Sequence, residues 1–349
     1  MSFPTMSIAK EQETTPTLLA SFKKVAPWLR VGLSLLLGIG GLWLITRNVD
    51  LAEVGRALGQ AHLEAIALGL LVILVTILAK TWRWRLLFAA AEDAPRFRAL
   101  FWALVLGQFI NLLLPFRLGD LTRIYTLHQE TQSGKARALG TLVVEKTLDT
   151  VMLALTLLVL LPLVVVPRFV SEPGLTMTVI AVLALGLLYA VAYQTERVVS
   201  LLQQLARLLP LPLERRLMRL AVGGLSGLAS LRNRRLMVTL FLSSAAIAGL
   251  SVLTPLVLFA TFDLPLGLVE AVLLNLVLSL GSTPPSTPAK VGVFEWLVAF
   301  TLGRFGLTDN VIIVSYALIY HTVVILPQIV LGSAAVFRTH WRPGVTGNW

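Results

Sequence analysis

The chain has 349 residues, of which 56% are hydrophobic and only 13% charged, where a soluble domain carries about 25% charged residues. With a mean hydropathy of +0.83 and a net charge of +11, this is the composition of an integral membrane protein whose basic loops face anionic lipid, and no nucleic-acid partner is expected. Cysteine is absent and His62, His128, His321 and His340 never fall at H-x-x-x-H spacing, which excludes disulfides and thiolate chemistry and leaves no metal or other cofactor expected.

Residues 1–24 are polar, with scattered Thr and Pro, and are expected to form a disordered cytoplasmic tail. No A-x-A site follows the apolar run after Arg30, so that run reads as a retained helix and not a cleaved signal. A membrane-spanning helix needs about 20 mostly apolar residues. Six stretches qualify: about 29–46, 63–82, 140–166, 175–194, 236–260 and 311–337. Two others, about 98–130 and 267–304, are apolar in part but broken by prolines, glycines and charges.

Basic residues orient these segments. Arg197, Arg207, Arg215, Arg216, Arg219, Arg232, Arg234 and Arg235 stand against Glu214 between the fourth and fifth spans, so 197–235 is expected in the cytoplasm. Within it Leu201, Leu202, Leu205, Leu208 and Leu209 form a helical apolar stripe that Pro210 and Pro212 break. The segment reads as one or two interfacial helices or as a solvated basic linker. Lys10, Lys23, Lys24 and Arg30 place the N-terminus inside, Arg83 and Arg85 return the second span to the cytoplasm, and Arg338 and Arg342 place the C-terminus there too. The two broken stretches must then each begin and end on one side, which makes them re-entrant hairpins entering from opposite faces. Only Arg47, Arg56, Arg168 and Arg304 fall outside in this layout, with Lys80, Lys146 and Lys290 at membrane depth.

The expected fold is therefore an all-α polytopic membrane protein of six full spans and two re-entrant or broken hairpins. It forms a single membrane domain over 25–338, built from repeat 1 (about 25–166) and an inverted repeat 2 (about 175–338). The repeat has a local signature, P-x-[R/K]-x-G: Pro115, Arg117 and Gly119 in the first hairpin match Pro288, Lys290 and Gly292 in the second. Broken backbone at membrane depth is tolerated only where it is buried in protein or lines a wet cavity, so Pro115, Gly119, Pro288 and Gly292 mark where each hairpin turns.

A cation at the bilayer centre costs at least about 2.5–3.5 kcal/mol. Arg117 and Lys290 near the hairpin tips therefore call for either an anionic ligand or an internal counter-charge, Asp120 for the first and Glu295 for the second. A lipid phosphate suits them, the arginine as a fork and the lysine as a point charge. Arg123 pairs with Asp120 or meets headgroups, and Asn111 supplies an amide among apolar neighbours. Glu145 and Asp149 share a helix face, with Lys146 to one side; they either neutralise the hairpin arginines or bind a proton for coupling. His321 beside Tyr316 and Tyr320 reads as packing or as cavity lining. The tryptophans Trp28, Trp43, Trp82, Trp84, Trp102, Trp296 and Trp341 fall mostly near helix ends, as an aromatic belt does.

Taken together, Arg83-Trp84, Asn111 with Leu114-Pro115-x-Arg117-x-Gly119-Asp120-x-x-Arg123, Glu145-Lys146-x-x-Asp149 and Gly292-Val293-Phe294-Glu295 resemble the lysylphosphatidylglycerol synthase transmembrane-region family, also called flippase-like domain proteins. The resemblance covers about 29–338 and implies a polytopic cell-membrane domain associated with lipid translocation. Larger relatives fuse it to a cytosolic aminoacyltransferase, for which no length remains before Trp349, so lysylation by this chain alone is not expected. Asp120 stands where the family usually has Glu, and Thr287-Pro288-Ala289-Lys290 where a glycine-rich form is common.

The function expected is transport of a phosphate-bearing lipid, either an anionic phospholipid or a polyprenyl-phosphate-linked carrier, with membrane lipids as partners. Arg117, Lys290, Asn111 and Arg123 would contact substrate; Asp120, Glu145, Lys146, Asp149 and Glu295 would balance charge. No G-x-x-x-x-G-K-[ST] or D-x-D occurs, so no catalytic residue is assigned. The rival readings are a membrane-embedded enzyme on a lipid-linked sugar or phosphate, and a non-catalytic partner of a separately encoded glycosyl- or aminoacyltransferase.

Overall fold

A computed structural model describes residues 32, 36, 38–47, 49–89, 94–114, 118–161, 168–208, 210–281 and 287–339, with side chains undescribed at 168–173. The N-terminal tail, Trp28, Pro115, Arg117, Pro284, Pro285, His340, Trp341 and Arg342 lie outside these residues.

The described chain is all α. A helix described at 32, 36 and 38–46, α1, leads to α2 (Leu51–Gly59), α3 (Leu63–Phe88), α4 (Phe97–Leu113), α5 (Leu118–Thr131) and α6 (Lys135–Leu160). Then follow α7 (Arg168–Tyr193), α8 (Thr195–Ala206), α9 (Leu211–Ser226), α10 (Arg234–Phe259), α11 (Leu268–Gly281), α12 (Val293–Arg304) and α13 (Asn310–Arg338). Four helical stretches are long and apolar enough to cross a membrane: Leu63–Phe88, Gly174–Tyr193, Arg234–Phe262 and Asn310–Arg338. At about 1.5 Å per residue, the 26 residues of α6 also exceed a hydrocarbon core of about 30 Å, but Glu145, Lys146 and Asp149 interrupt its apolar surface.

Hydroxyl groups in the long helices turn back on their own backbone: Thr76 donates to the Val72 carbonyl, Thr81 to Ile77, Ser244 to Leu240 and Thr322 to Leu318. No water is needed to satisfy them. Outward faces stay apolar, with Leu68, Leu71 and Leu78 of α3 and Val179, Val182 and Leu183 of α7 exposed, as contact with lipid requires. Helix starts are capped where they leave the apolar layer: Asp309 accepts from the amides of Val311 and Ile312, and Asn233 from those of Arg235 and Leu236.

One order of elements occurs twice, a long helix, two short helices and a long helix: α3, α4, α5, α6 and then α10, α11, α12, α13. The two sets interlock, because α3 packs along α10 and α4 along α13. Each has its own core, one around Trp84, Leu100, Ile124 and Leu148, the other around Leu274, Leu297, Tyr316 and Tyr320. The basic stretch 197–235 holds two helices, α8 and α9, separated at Pro210, and α9 packs on the start of α6. There Gly140 and Gly227 bring the two backbones into contact, and Arg137 Nε donates to Ser226 Oγ over 3.1 Å.

Boundaries differ from the sequence expectation in three places, one being the helix expected at 175–194, which begins already at Arg168. The helix expected at 63–82 runs on to Phe88, because Arg83, Trp84, Leu87 and Phe88 point inward while Trp82 and Arg85 point out. The helix expected at 140–166 begins earlier, at Lys135, and takes up the basic residues Lys135 and Arg137; it is described as Lys135–Leu160, and 162–166 lie outside the described residues.

Candidate functional site: buried ion networks at two broken hairpins

In the first hairpin α4 and α5 are joined at residues 114–117, and the first turn of α5 is tied back to α4. Asn111 Oδ1 accepts from the Gly119 amide at 2.7 Å, and its Nδ2 donates to Asp120 Oδ1 at 3.3 Å. Gly119 already lies inside α5, so it does not form the break itself; its missing side chain lets the α4 backbone at Gly107 approach.

From α5 the network passes to α6 and α3. Arg123, 4% exposed, forks onto Glu145 with Nη1–Oε1 at 3.0 Å and Nη2–Oε2 at 2.5 Å. Its guanidinium carbon lies 3.5 Å from the centre of the Trp84 ring, a cation–π stack on top of a bidentate ion pair. Trp84 in turn donates from Nε1 to Thr141 Oγ1 at 3.1 Å. Arg83, wholly buried, donates to Asp149 Oδ1 at 2.6 Å and Ser244 Oγ at 3.0 Å, and its Nη2 is 3.8 Å from Glu145 Oε1. Lys146 lies 3.5 Å from Asp120 Oδ2, and Lys80 joins the same field beside Asp149.

The i,i+4 spacing of Glu145 and Asp149 thus presents two carboxylates to two arginines from different helices. Among the described residues Arg83, Arg123 and Lys146 face Asp120, Glu145 and Asp149, with Lys80 buried beside Asp149. Arg83 Nε and Nη2 and Arg123 Nε are buried with no hydrogen-bond partner among the described residues.

The second hairpin has a different chemistry on a similar frame. The turn after α11 holds Ala289 at φ 53°, Lys290 at φ 61° and Gly292 at φ 85°. Thr287 Oγ1 donates to the Val291 carbonyl at 2.6 Å, and Gly292, against α1 at Gly38, leaves no space for a side chain. Glu295 accepts from the Gly292 amide at 2.7 Å, a side chain closing its own helix start. Its other oxygen is 2.6 Å from His321 Nδ1, and His321 Nε2 is 2.8 Å from the Ala289 carbonyl. Phe294 stacks on the imidazole at 4.5 Å. The partner of Glu295 is thus His321 of α13, not Lys290; Lys290 is exposed on the turn, with Pro288, and the turn packs against α4.

Several participants are not assigned from sequence, among them Lys80, Thr141 and Ser244, and three of them are central: Arg83, Trp84 and His321. Arg83 was read as a cytoplasmic flank and Trp84 as belt; both are buried at the centre of the network. The inward-facing pair Arg83 and Thr81 with outward Trp82 and Arg85 carried that signal. His321 was read as packing or cavity lining, and its link to Glu295 spans 26 residues of sequence, which no local pattern reveals.

All-helical over the described residues, apolar outside and polar at two broken hairpins inside, the chain is a polytopic membrane domain. It belongs to the lysylphosphatidylglycerol synthase transmembrane-region family, matched over residues 31–332, a membrane domain of the flippase-like type. No curated protein matches the chain.

Proposed function

We propose that the chain carries a phosphate-bearing lipid, a phospholipid or a polyprenyl-phosphate-linked molecule, across the cell membrane, without covalent chemistry. The observation that carries this reading is a network whose buried arginines, Arg83 and Arg123, keep N–H groups with no partner among the described residues. A buried donor left without an acceptor costs about 1–3 kcal/mol, and an anionic headgroup reaching the network from the hairpin break supplies acceptor oxygens. Arg117, next to the break, and Lys290, on the second turn, are the first contacts in this mechanism. Asn111 sets the hairpin tip, and Arg123 with Asp120, Glu145, Lys146, Asp149 and Glu295 holds the charge balance.

The geometry supports re-entrant hairpins and an inverted repeat. Lys146, which meets the first turn of α5, stands eleven residues into α6, and His321, which meets the first turn of α12, stands eleven residues into α13 (135 to 146 and 310 to 321). At 1.5 Å per residue both are about 16 Å along their helices, half the thickness of the hydrocarbon core. Both tips therefore reach the same depth, and rocking of one set of helices against the other changes the side that is open. Both termini and the α8–α9 segment lie in the cytoplasm in this arrangement.

Liposomes containing fluorescent lipids and either wild type, Arg117→Ala or Lys290→Ala test it. Translocation should fall at least tenfold in both variants; unchanged rates in both overturn the mechanism.

A further inference from the structure

The Glu295–His321 contact fixes a proton count. Both groups are buried, Glu295 at 3% and His321 at 4% exposure. His321 Nε2 is 2.8 Å from the Ala289 carbonyl oxygen; a carbonyl only accepts, so Nε2 carries hydrogen. The 2.6 Å contact between Nδ1 and Glu295 Oε1 then needs a second hydrogen, on the nitrogen or on the oxygen. Drawn as imidazolium with carboxylate or as imidazole with carboxylic acid, the pair is neutral and holds one titratable proton. Neutrality is what a site at membrane depth favours.

We propose that Glu295–His321 is a proton-binding site whose occupancy controls the Lys290 turn, and that the proton is the coupling ion for lipid movement; the second statement rests on the function proposed above. Loss of the proton to water leaves neutral imidazole, a carboxylate and one hydrogen for two acceptors. If Nε2 keeps it, the lone pairs of Nδ1 and Oε1 oppose each other at bonding distance. If Nδ1 keeps it, the Ala289 carbonyl is released. Ala289 and Lys290 both lie at positive φ, conformations that persist only when neighbouring contacts hold them. Removing the His321 bond therefore takes away the one hold on the Ala289 carbonyl that comes from α13 and loosens the turn that bears Lys290, which the Thr287 bonds still close at its base.

The charged and titratable groups around the pair are few. Lys290 stands in the turn itself, and Tyr316 and Tyr320 are neighbours on α13. Among helices packed on α13, α4 carries only Arg98, at its far end, and α10 only Arg234 and Arg235, at its start. In α3, Arg83 is bound by Asp149, with Lys80 beside it, Glu64 lies in the first turn and Arg85 in the last; in α2, Glu53 and Arg56 face each other. α12 itself ends at Arg304 and α11, packed on α12, carries Glu270 in its first turn; among the described residues none of these supplies a second carboxylate to Glu295.

The turn can be watched with a spin label on Lys290→Cys, the only cysteine in the chain, in liposomes between roughly pH 5 and 9, a range that brackets histidine titration. A one-proton transition is expected, immobile at the acid end and mobile at the alkaline end. Glu295→Gln keeps every bond without a titratable proton, because the amide donates to Nδ1 and its oxygen accepts from Gly292; the label should stay immobile throughout. His321→Phe should leave it mobile throughout. A label insensitive to pH in the parent, or a transition that survives in both variants, overturns the proposal. Lipid movement with Lys290 intact separates the two layers: it should vary with pH in wild type and not in Glu295→Gln. A pH-dependent turn with no lipid movement keeps the proton site and removes the transport reading. Lipid movement with equal pH dependence in wild type and Glu295→Gln removes the coupling.

Discussion

Arg123 is clamped from two directions, its nitrogens forked onto Glu145 and its flat face 3.5 Å from the centre of the Trp84 ring. The two contacts join three helices, since Arg123 belongs to α5, Glu145 to α6 and Trp84 to α3. Arg123→Ala leaves Glu145 buried with Arg83 at 3.8 Å as its remaining close cation, and breaking a buried pair this way costs about 3–5 kcal/mol. Arg123→Lys should recover little of the loss, because an ammonium neither forks nor stacks. The double variant Arg123→Met/Glu145→Leu should be markedly more stable than Arg123→Ala, since no charge is left unpaired. Thermal unfolding in detergent, read as a double-mutant cycle, checks this; equal Tm values for Arg123→Ala and wild type contradict the assignment.

Lys146 and Asp120 offer the contrasting case. Their side chains are 45% and 19% exposed and 3.5 Å apart, so the pair contributes about 0–1 kcal/mol to stability. Lys146→Ala should therefore leave Tm nearly unchanged. If the network receives a phosphate, the same variant should still reduce lipid translocation several-fold. A parallel loss of stability and transport would place Lys146 with the structural pairs.

The extent to which this site could be read from sequence differs between its parts. Hydropathy located the long helices and both breaks, because a proline or a charge inside an apolar run is visible locally. The match of Pro115, Arg117 and Gly119 with Pro288, Lys290 and Gly292 also pointed to the two hairpins. Partner choice was not visible. Arg83 meets Asp149 across 66 positions and Ser244 across 161, and such pairings depend on which helix faces are in contact. Hydropathy also misreads Arg83-Trp84, because a paired and stacked arginine behaves as core while its composition reads as loop.

Two glycines separate local from tertiary constraint. At Gly119 an alanine would raise helix propensity by about 1 kcal/mol, yet its Cβ would strike the Gly107 carbonyl and the Asn111 side chain. The clash should win, because the α4 backbone cannot yield without opening the hairpin. At Gly292 alanine meets the Gly38 backbone and also a positive φ, a conformation that costs a further 1–3 kcal/mol or so. Gly292→Ala should lower Tm more than Gly119→Ala, and Gly40→Ala, whose Cβ meets open space inside a helix, should leave Tm unchanged or raise it slightly. A smaller loss at Gly292 than at Gly119 would mean that the turn adjusts at no cost.

Re-entry of the first hairpin can be tested directly, because the chain has no cysteine of its own. Single cysteines introduced across 111–137 report which side of the membrane reaches each position. If the hairpin re-enters, residues 132–137 and Arg96 label from the same side, and labelling from that side falls off toward 118. Positions on the Asn111 side of the break then lose access in mirror order. A hairpin that crosses fully instead gives opposite sides for Arg96 and Lys135. The ion network favours the first outcome, because Asp120 meets Lys146 only eleven residues from the start of α6. That is about 16 Å of helix, too short for α5 to have crossed a hydrocarbon core of about 30 Å.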